Sequence, residues 1–382
     1  MEYVQARVTT LHDLTDPLPA APTDRAAVVV PMAERECASP AADRVLTALE
    51  RVDPARVVVP LRARPARVAD VREWLSSYDL SLELLWCDGP RVADLLSEAG
   101  LDGGRGKGRD VWLGLGRAAE AEFVVVHDAD TTTYDESFVS RLLFPLAHGY
   151  DFSKGYYARV EDGRLYGRLF RLFYAPLVRA LRDAHAEPYL EYLDAFRYAL
   201  AGEFAVTAET ARQIRAPREW GLEVGTLGDA FDAVGFCGTA QVDLGTYEHD
   251  HRSVEGDSGL SDMSRSVGET LFRTVLERGV DVDFETLPDR YRDAATTLID
   301  QYAADAAFND LSFDPDHERA QADRYAAAVE APTGTDDRLP AWADAPVSPD
   351  EVREATAADV ADAVETADPA DTAAADPRRV EE

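Results

Sequence analysis

Between Ala26 and Asp130, short apolar runs alternate with amphipathic stretches. AAVVVP (Ala26 to Pro31) is rich in β-branched residues and closed by proline, and RVVVPL (Arg56 to Leu61) repeats the pattern. LELLWCDG (Leu82 to Gly89) ends at an Asp-Gly turn, and EFVVVHDAD (Glu122 to Asp130) runs straight into two aspartates. Such unbroken apolar runs suit strands buried on both faces. The stretches between them have helical spacing. Pro40 to Arg51 puts Val45, Leu46 and Leu49 on one face, Val68 to Tyr78 and Pro90 to Ala99 follow, and Val111, Leu115 and Ala118 share a face after the glycine-rich GLDGGRGKG (Gly100 to Gly108). Strands alternating with helices of this length predict an α/β protein whose mostly parallel sheet is flanked by helices on both sides.

Beyond Tyr134 the pattern changes. It predicts a helix to about Leu146, a strand-like FSKGYYARV (Phe152 to Val160), a turn at Glu161-Asp162-Gly163, and a helix carrying Leu165, Leu169, Phe173, Leu177 and Leu181. Three segments combine glycine with charge: AGEFAVTAE (Ala201 to Glu209), WGLEVGTLGDAF (Trp220 to Phe231) and TAQVDLGTYEHDHR (Thr239 to Arg252). That mixture marks backbone close to a ligand or a sharp turn. Helices are expected at Val267 to Arg278, Tyr291 to about Phe308, and Pro315 to Glu330. Five parts follow: a lead over 1–25, an α/β part over 26–150, a second part over 151–265, a helical region over 266–331, and an acidic tail over 332–382. The tail is rich in Pro, Ala, Thr and Asp, so it is expected to be largely disordered with a weak helix near Pro349 to Glu365.

Charge narrows the function. The chain of 382 residues has 39 Lys plus Arg against 72 Asp plus Glu, a net charge of −33, which argues against nucleic acid or an anionic membrane as partner. Such acidity with little lysine fits a halophilic microbe. The three cysteines, Cys37, Cys87 and Cys237, read as isolated thiols. The start MEYVQA lacks a signal-peptide pattern and no apolar run reaches membrane-spanning length, so a cytoplasmic protein is expected. Only Lys107 and Lys154 are lysines, which makes each a candidate for work that needs a compact ammonium.

The candidate chemistry centres on Asp128-Ala129-Asp130 at the end of the fourth apolar run. Ligands of open α/β sheets bind outside the carboxyl ends of strands, and paired carboxylates there suit Mg2+ or Mn2+ with a diphosphate. His249 and His251, spaced to lie on one side of an extended segment, are candidates to complete the metal shell. Lys107, between Gly106 and Gly108 at a helix start, fits a phosphate or nucleobase contact, although GRGKGRD is not a P-loop. A cation and a lysine would stabilise a departing diphosphate, with Glu203 or Glu223 serving the reacting face. Two other readings share these residues: a nucleotidyltransferase, and a nucleotide-sugar-binding protein without activity.

The ordered series VVVP, GKG, VVVHDAD, KGYYAR with DGR, LAGEFA, GLEVG and QVDLGTYEHDH resembles the glucosyl-3-phosphoglycerate synthase family and its mannosyl-transferring relatives over about Ala26 to Met263. The resemblance implies a GT-A nucleotide-sugar fold and a retaining, metal-dependent transfer of a hexose from UDP- or GDP-glucose to 3-phosphoglycerate or a similar small acid, in compatible-solute synthesis. It implies that Pro31, Met32 and Ala33 lie beside the base, and that Lys107, Asp128 and Ala129 hold the nucleotide. Asp130 and His249, with Asp128 and His251, would hold the metal, and Glu203 the donor sugar. Gly163, Arg164, Leu165 and Tyr166 would form the acceptor loop, with Lys154, Arg159 and Arg164 as cations. A homodimer through the helices after Arg265 is also implied. The chain departs from the family pattern at Glu34 and Arg35 in PMAERE, at Tyr166, and at Tyr247 two residues before His249.

Overall fold

The computed structural model describes residues 7–12, 18–248, 250 and 257–366, with side chains of the last stretch from residue 262 onward. The first half supplies strands β1 (Thr9–Leu11), β2 (Ala26–Val29), β3 (Met32–Ala33), β4 (Arg56–Arg62), β5 (Leu82–Trp86) and β6 (Phe123–Val126). Helices α1 (Pro40–Val52), α2 (Pro65–Leu75), α3 (Pro90–Glu98) and α4 (Lys107–Ala118) connect them. After α5 (Ser137–Ala147) come β7 (Phe152–Ala158), the small hairpin β8 (Val160–Glu161) and β9 (Arg164–Leu165), α6 (Ala175–Arg182) and α7 (Pro188–Leu193). Then follow β10 (Phe204–Thr207), α8 (Ala208–Ala211), α9 (Leu222–Val234) and β11 (Thr239–Thr246). Four helices end the described chain: α10 (Asp257–Glu277), α11 (Leu287–Phe308), α12 (Pro315–Tyr325) and α13 (Pro349–Thr366).

Nine strands make one sheet in the order β1-β11-β7-β10-β6-β2-β4-β3, with β5 also on β4. All pairings are parallel except those of β10, which runs antiparallel to both β6 and β7. Val124 and Val126 of β6 enter the core on one face, while Phe123 and Val125 enter the core on the other. That double burial is why the strand reads as an unbroken apolar run.

Two expectations are corrected. Leu165 does not begin a helix: Asp162 and Gly163, both at positive φ (47° and 69°), form a two-residue turn between β8 and β9, and the helix starts only afterwards, through a π-helical turn at Phe170–Tyr174. Nor is the segment after Ala331 without fixed structure. Trp342 stacks on Trp112 with centroids 4.1 Å apart, each indole N–H donates to backbone of the other's segment, and α13 packs on α2, α3 and β5. A low average hydropathy concealed a few large or well-placed side chains, Leu339, Trp342, Val352 and Val360, each buried. Residues 367–382 of the expected tail lie outside the described residues.

Candidate active site

The sheet register gathers the predicted residues at one pole. Phe204 lies opposite both Val126 of β6 and Lys154 of β7, so Glu203 stands one step further out, level with the loop that leaves β6. Gly202 is needed for this approach: a Cβ there would fall 2.6 Å from Asp128 Oδ2. Lys107, the first residue of α4, places its ammonium 2.5 Å from Asp128 Oδ1 and 3.5 Å from Glu223 Oε1 in the first turn of α9. Pro31, Met32 and Ala33 lie at the end of β2 and in β3, on the same pole, and Ala129 is buried between the two aspartates.

The cations and anions of this cluster are partly stripped of water, with opposite effects. Burial works against the charge on Lys107, but Asp128, Glu223 and Glu203 outweigh it and hold its pKa above the ordinary lysine value. Lys154 is fully buried and its pKa falls to about 8, mainly through burial, with Glu223 and Glu203 opposing the fall. Burial, then the charge of Asp128, raises Glu203 to about 7. Neither Glu203 oxygen meets a hydrogen-bond donor at full geometry; the Tyr247 hydroxyl, its neighbour, offsets the rise only in part. A buried carboxyl whose pKa is raised accepts from a hydroxyl when ionised and donates to one when protonated, which suits the hydroxyls of a sugar.

Asp130 is held from the other side. Its carbonyl accepts from the Asp250 amide at 2.9 Å, while the Thr132 amide donates to the Glu248 carbonyl at 2.9 Å, so chain flanking position 249 is laced to the aspartate loop. His249 and His251 themselves lie outside the described residues. Among the described residues no three histidine, cysteine or carboxylate side chains gather as a metal set. The hard oxygen donors of Asp128 and Asp130 nonetheless fit Mg2+ or Mn2+, which are commonly bound through one or two carboxylates with phosphate oxygens completing the shell.

Some expectations shift. The glycines about Lys107 admit protein rather than phosphate: the Gly108 and Arg109 amides donate to the Glu219 and Arg218 carbonyls at 3.1 and 3.0 Å, and a Cβ at Gly108 would meet the Pro217 oxygen at 1.8 Å. The helix start is therefore closed, and only the lysine side chain faces the cluster. Lys154 is not beside the β8–β9 hairpin either; it donates to the Ala201 carbonyl beneath Glu203. Gly163 and Arg164 are exposed on the hairpin, with Leu165 and Tyr166 half-buried. Arg171 fixes the hairpin by donating to the carbonyls of Tyr166 (3.0 Å) and Leu165 (3.3 Å).

Glu36 escaped sequence reasoning. Its carboxylate accepts from the Ala33 amide at 2.6 Å, and its pKa is raised, chiefly by burial and further by the charges of Asp130 and Asp128. Its one signal in the sequence is its place as the second glutamate of PMAERE, which does not set it apart in a chain with 72 acidic residues. Glu34 instead pairs with Arg64 at 2.8 Å, away from the aspartates.

No family model matches the chain. It is 33% identical over 356 residues to the glucosyl-3-phosphoglycerate synthase of Methanococcoides burtonii, covering 86% of this chain and 88% of that protein. The chain belongs to the glucosyl-3-phosphoglycerate synthase family. The enzyme of the same name from Persephonella marina is 39% identical over 277 residues, 68% of each chain. Among solved structures, glucosyl-3-phosphoglycerate synthase from Mycobacterium tuberculosis in complex with Mn2+, UDP-glucose and phosphoglyceric acid superposes with a TM-score of 0.51 at 26% identity, covering 67% of this chain and 80% of that one. Membership makes the chain a retaining, metal-dependent glycosyltransferase of GT-A fold.

Proposed function

We propose that the chain transfers glucose from UDP-glucose to 3-phosphoglycerate, with the donor's diphosphate lying over the Lys107–Asp128 pair. The observation that carries this reading is the convergence of Lys107, Asp128, Glu223 and Glu203 at the carboxyl ends of the strands, with Asp130 laced to the end of β11. Asp128 and Asp130 would hold Mg2+ or Mn2+, with His249 or His251 joining them; a divalent ion there supplies Lewis-acid stabilisation of the leaving diphosphate. Lys107 adds a fixed positive charge where negative charge grows, without reorganising. Glu203 would grip hydroxyls of the glucose, and Glu223 keeps Lys107 aimed. Pro31, Met32 and Ala33 would receive the base, and the Gly163 to Tyr166 hairpin the acceptor. Lys154 would tune Glu203 from below rather than touch the acceptor.

Two wider proposals accompany this one. The net charge of −33 fits a salt-rich cytosol, and the product would then be a precursor of a compatible solute. Helices α10 to α12 would offer the surface for a homodimer. Among the described residues no helix is long and apolar enough to cross a membrane.

The test mixes the protein with UDP-, GDP- or ADP-glucose, 3-phosphoglycerate and Mn2+ in molar KCl, with product mass as the readout. Glucosyl-3-phosphoglycerate and free UDP should appear. Pyrophosphate release would point to a nucleotidyltransferase, and tight donor binding without product to a binding protein. Asp130→Ala should lower turnover by about 100-fold or more; turnover near that of the unaltered protein would remove the metal role.

A further inference from the structure

Lys107 and Glu223 meet from the starts of two helices, α4 and α9. Between α8 and α9, residues 212–221 form neither helix nor strand and join other backbone in one β-bridge, Ala216 with Leu339. That irregular segment nonetheless holds the α4 start, where the Arg218 and Glu219 carbonyls accept from the Arg109 and Gly108 amides. The fit is close: a Cβ at Gly106 would fall 2.8 Å from Glu219 Cα. Backbone without a ladder of its own takes its order from what it touches. Besides α4, it touches the C-terminal segment 337–343.

Ala216 and Leu339 exchange amide-to-carbonyl hydrogen bonds at 3.2 and 2.8 Å, and the Ala343 amide donates to the Arg212 carbonyl at 3.0 Å. The Arg218 guanidinium spans two further carbonyls. Its Nε donates to Asp337 at 2.9 Å, across 119 positions of sequence, and its Nη1 donates at 2.8 Å to Leu101, at the head of the glycine-rich turn that leads into Lys107. A Cβ at Gly103 in that turn would fall 2.9 Å from Arg218 Nε. The C-terminal segment also holds α4 by its middle: the Trp112 indole donates to the Pro340 carbonyl and the Trp342 indole to the Trp112 carbonyl, both at 2.7 Å. Toward α9, the Arg215 amide and guanidinium each donate to the Asp229 carboxylate at 2.7 Å. One short segment therefore fixes α4 against the chain that enters α9, and Arg218 ties it to the turn before Lys107. An error of about 1 Å in placing a binding group can cost much of its effect.

We infer that Arg218 is a positioning residue: with the C-terminal segment it holds Lys107 in place for the donor's diphosphate, acting through the lysine and not on the donor itself. This rests on the placement of the diphosphate over Lys107 proposed above. The test is a double-mutant cycle on the full chain, Arg218→Met and Lys107→Met singly and together, read by calorimetric binding of UDP in the presence of Mn2+. Lys107→Met should weaken UDP binding by about tenfold or more, and Arg218→Met by about three- to tenfold. In the Lys107→Met background, Arg218→Met should weaken it by less than about twofold, because the group it positions is gone. Steady-state rates should show the same split, with donor KM raised in Arg218→Met and the KM for 3-phosphoglycerate within about twofold of the unaltered protein. Arg218→Lys, which lacks the fork that spans both carbonyls, takes its place in the cycle if the methionine variant does not fold. A loss of UDP affinity that is as large without Lys107 as with it marks a structural role alone and overturns the inference. So does unchanged binding in Arg218→Met where Lys107→Met binds weakly, and in both cases the diphosphate placement stands. If Lys107→Met binds UDP as the unaltered protein does, the placement itself fails, and the inference with it.

Discussion

Lys154 spends stability to keep an ammonium where no water reaches. Its pKa of about 8 lies below the ordinary lysine value of 10.5 because burial disfavours the charge. Between those two values the unfolded chain holds the proton more tightly, so stability rises with pH across that window; below pH 8 the full cost is present, on the order of 3 kcal/mol. Lys154→Met should therefore be at least as stable as the unaltered protein at pH 7, and should lose that relative advantage toward pH 10. Turnover should drop at the same time, since Glu203 loses the cation beneath it. Urea unfolding at several pH values, paired with initial rates, checks both. A stability difference that does not change with pH would mean that Lys154 is not held in the way its burial indicates.

At the scale of elements, the active pole depends on backbones approaching closely. The start of α4 lies against the carbonyls of Pro217, Arg218 and Glu219, and Gly108 leaves room for that contact. Gly108→Ala should cost about 2–3 kcal/mol in urea unfolding, through overpacking against backbone that cannot yield as a side chain would. Because Lys107 rides on the same turn, donor KM should rise as well, and a change confined to stability would show that the α4 start does not aim the lysine. Much of this was legible beforehand: the four apolar runs became β2, β4, β5 and β6, and the aspartates sit where β6 ends. Strand burial on both faces writes itself into sequence as uninterrupted Val and Leu. The partner of the GKG turn was not legible, because Pro217 is over a hundred positions away and nothing local encodes the contact. The antiparallel β10 was hidden for the same reason: AGEFAVT shows a short apolar run, but its direction depends on the path of the intervening helices. Glu36, three positions from Ala33, was locally visible yet indistinguishable from the many other acids.

For the whole molecule, the C-terminal segment is a strap across the first half. Asp359, with no side-chain exposure, accepts from the Arg91 and Val92 amides at the start of α3, and pairs with the Arg91 guanidinium at 3.0 Å. Trp342 closes over Trp112 in α4, and Gly116 leaves space for its ring, a Cβ there falling 2.5 Å from it. Trp342→Ala should cost about 3–5 kcal/mol, in line with removal of a buried aromatic. Deleting residues 332–382 should cost more, because α3 also loses its cap. Both are read by urea unfolding, and an effect below about 1 kcal/mol would show the strap to be an ornament on a self-sufficient sheet.

The same strap carries acids onto an already acidic body, so its docking is opposed by long-range repulsion at low salt. Arg91 with the buried Asp359 is the pair that opposes that repulsion at close contact, while Arg91 with Asp362 and Arg117 with Asp350 are exposed on the strap side and add little. Salt weakens both effects, but unequally. The Debye length shortens from about 10 Å at 0.1 M to about 3 Å at 1 M, which removes repulsion among distant charges and spares pairs in contact at buried positions. The thermal midpoint should therefore climb steadily as KCl increases through this range, and the deletion variant, with fewer acids to hold together, should climb less. A midpoint that falls with salt would mean that exposed ion pairs, rather than the burial of Trp342 and Asp359, keep the strap in place.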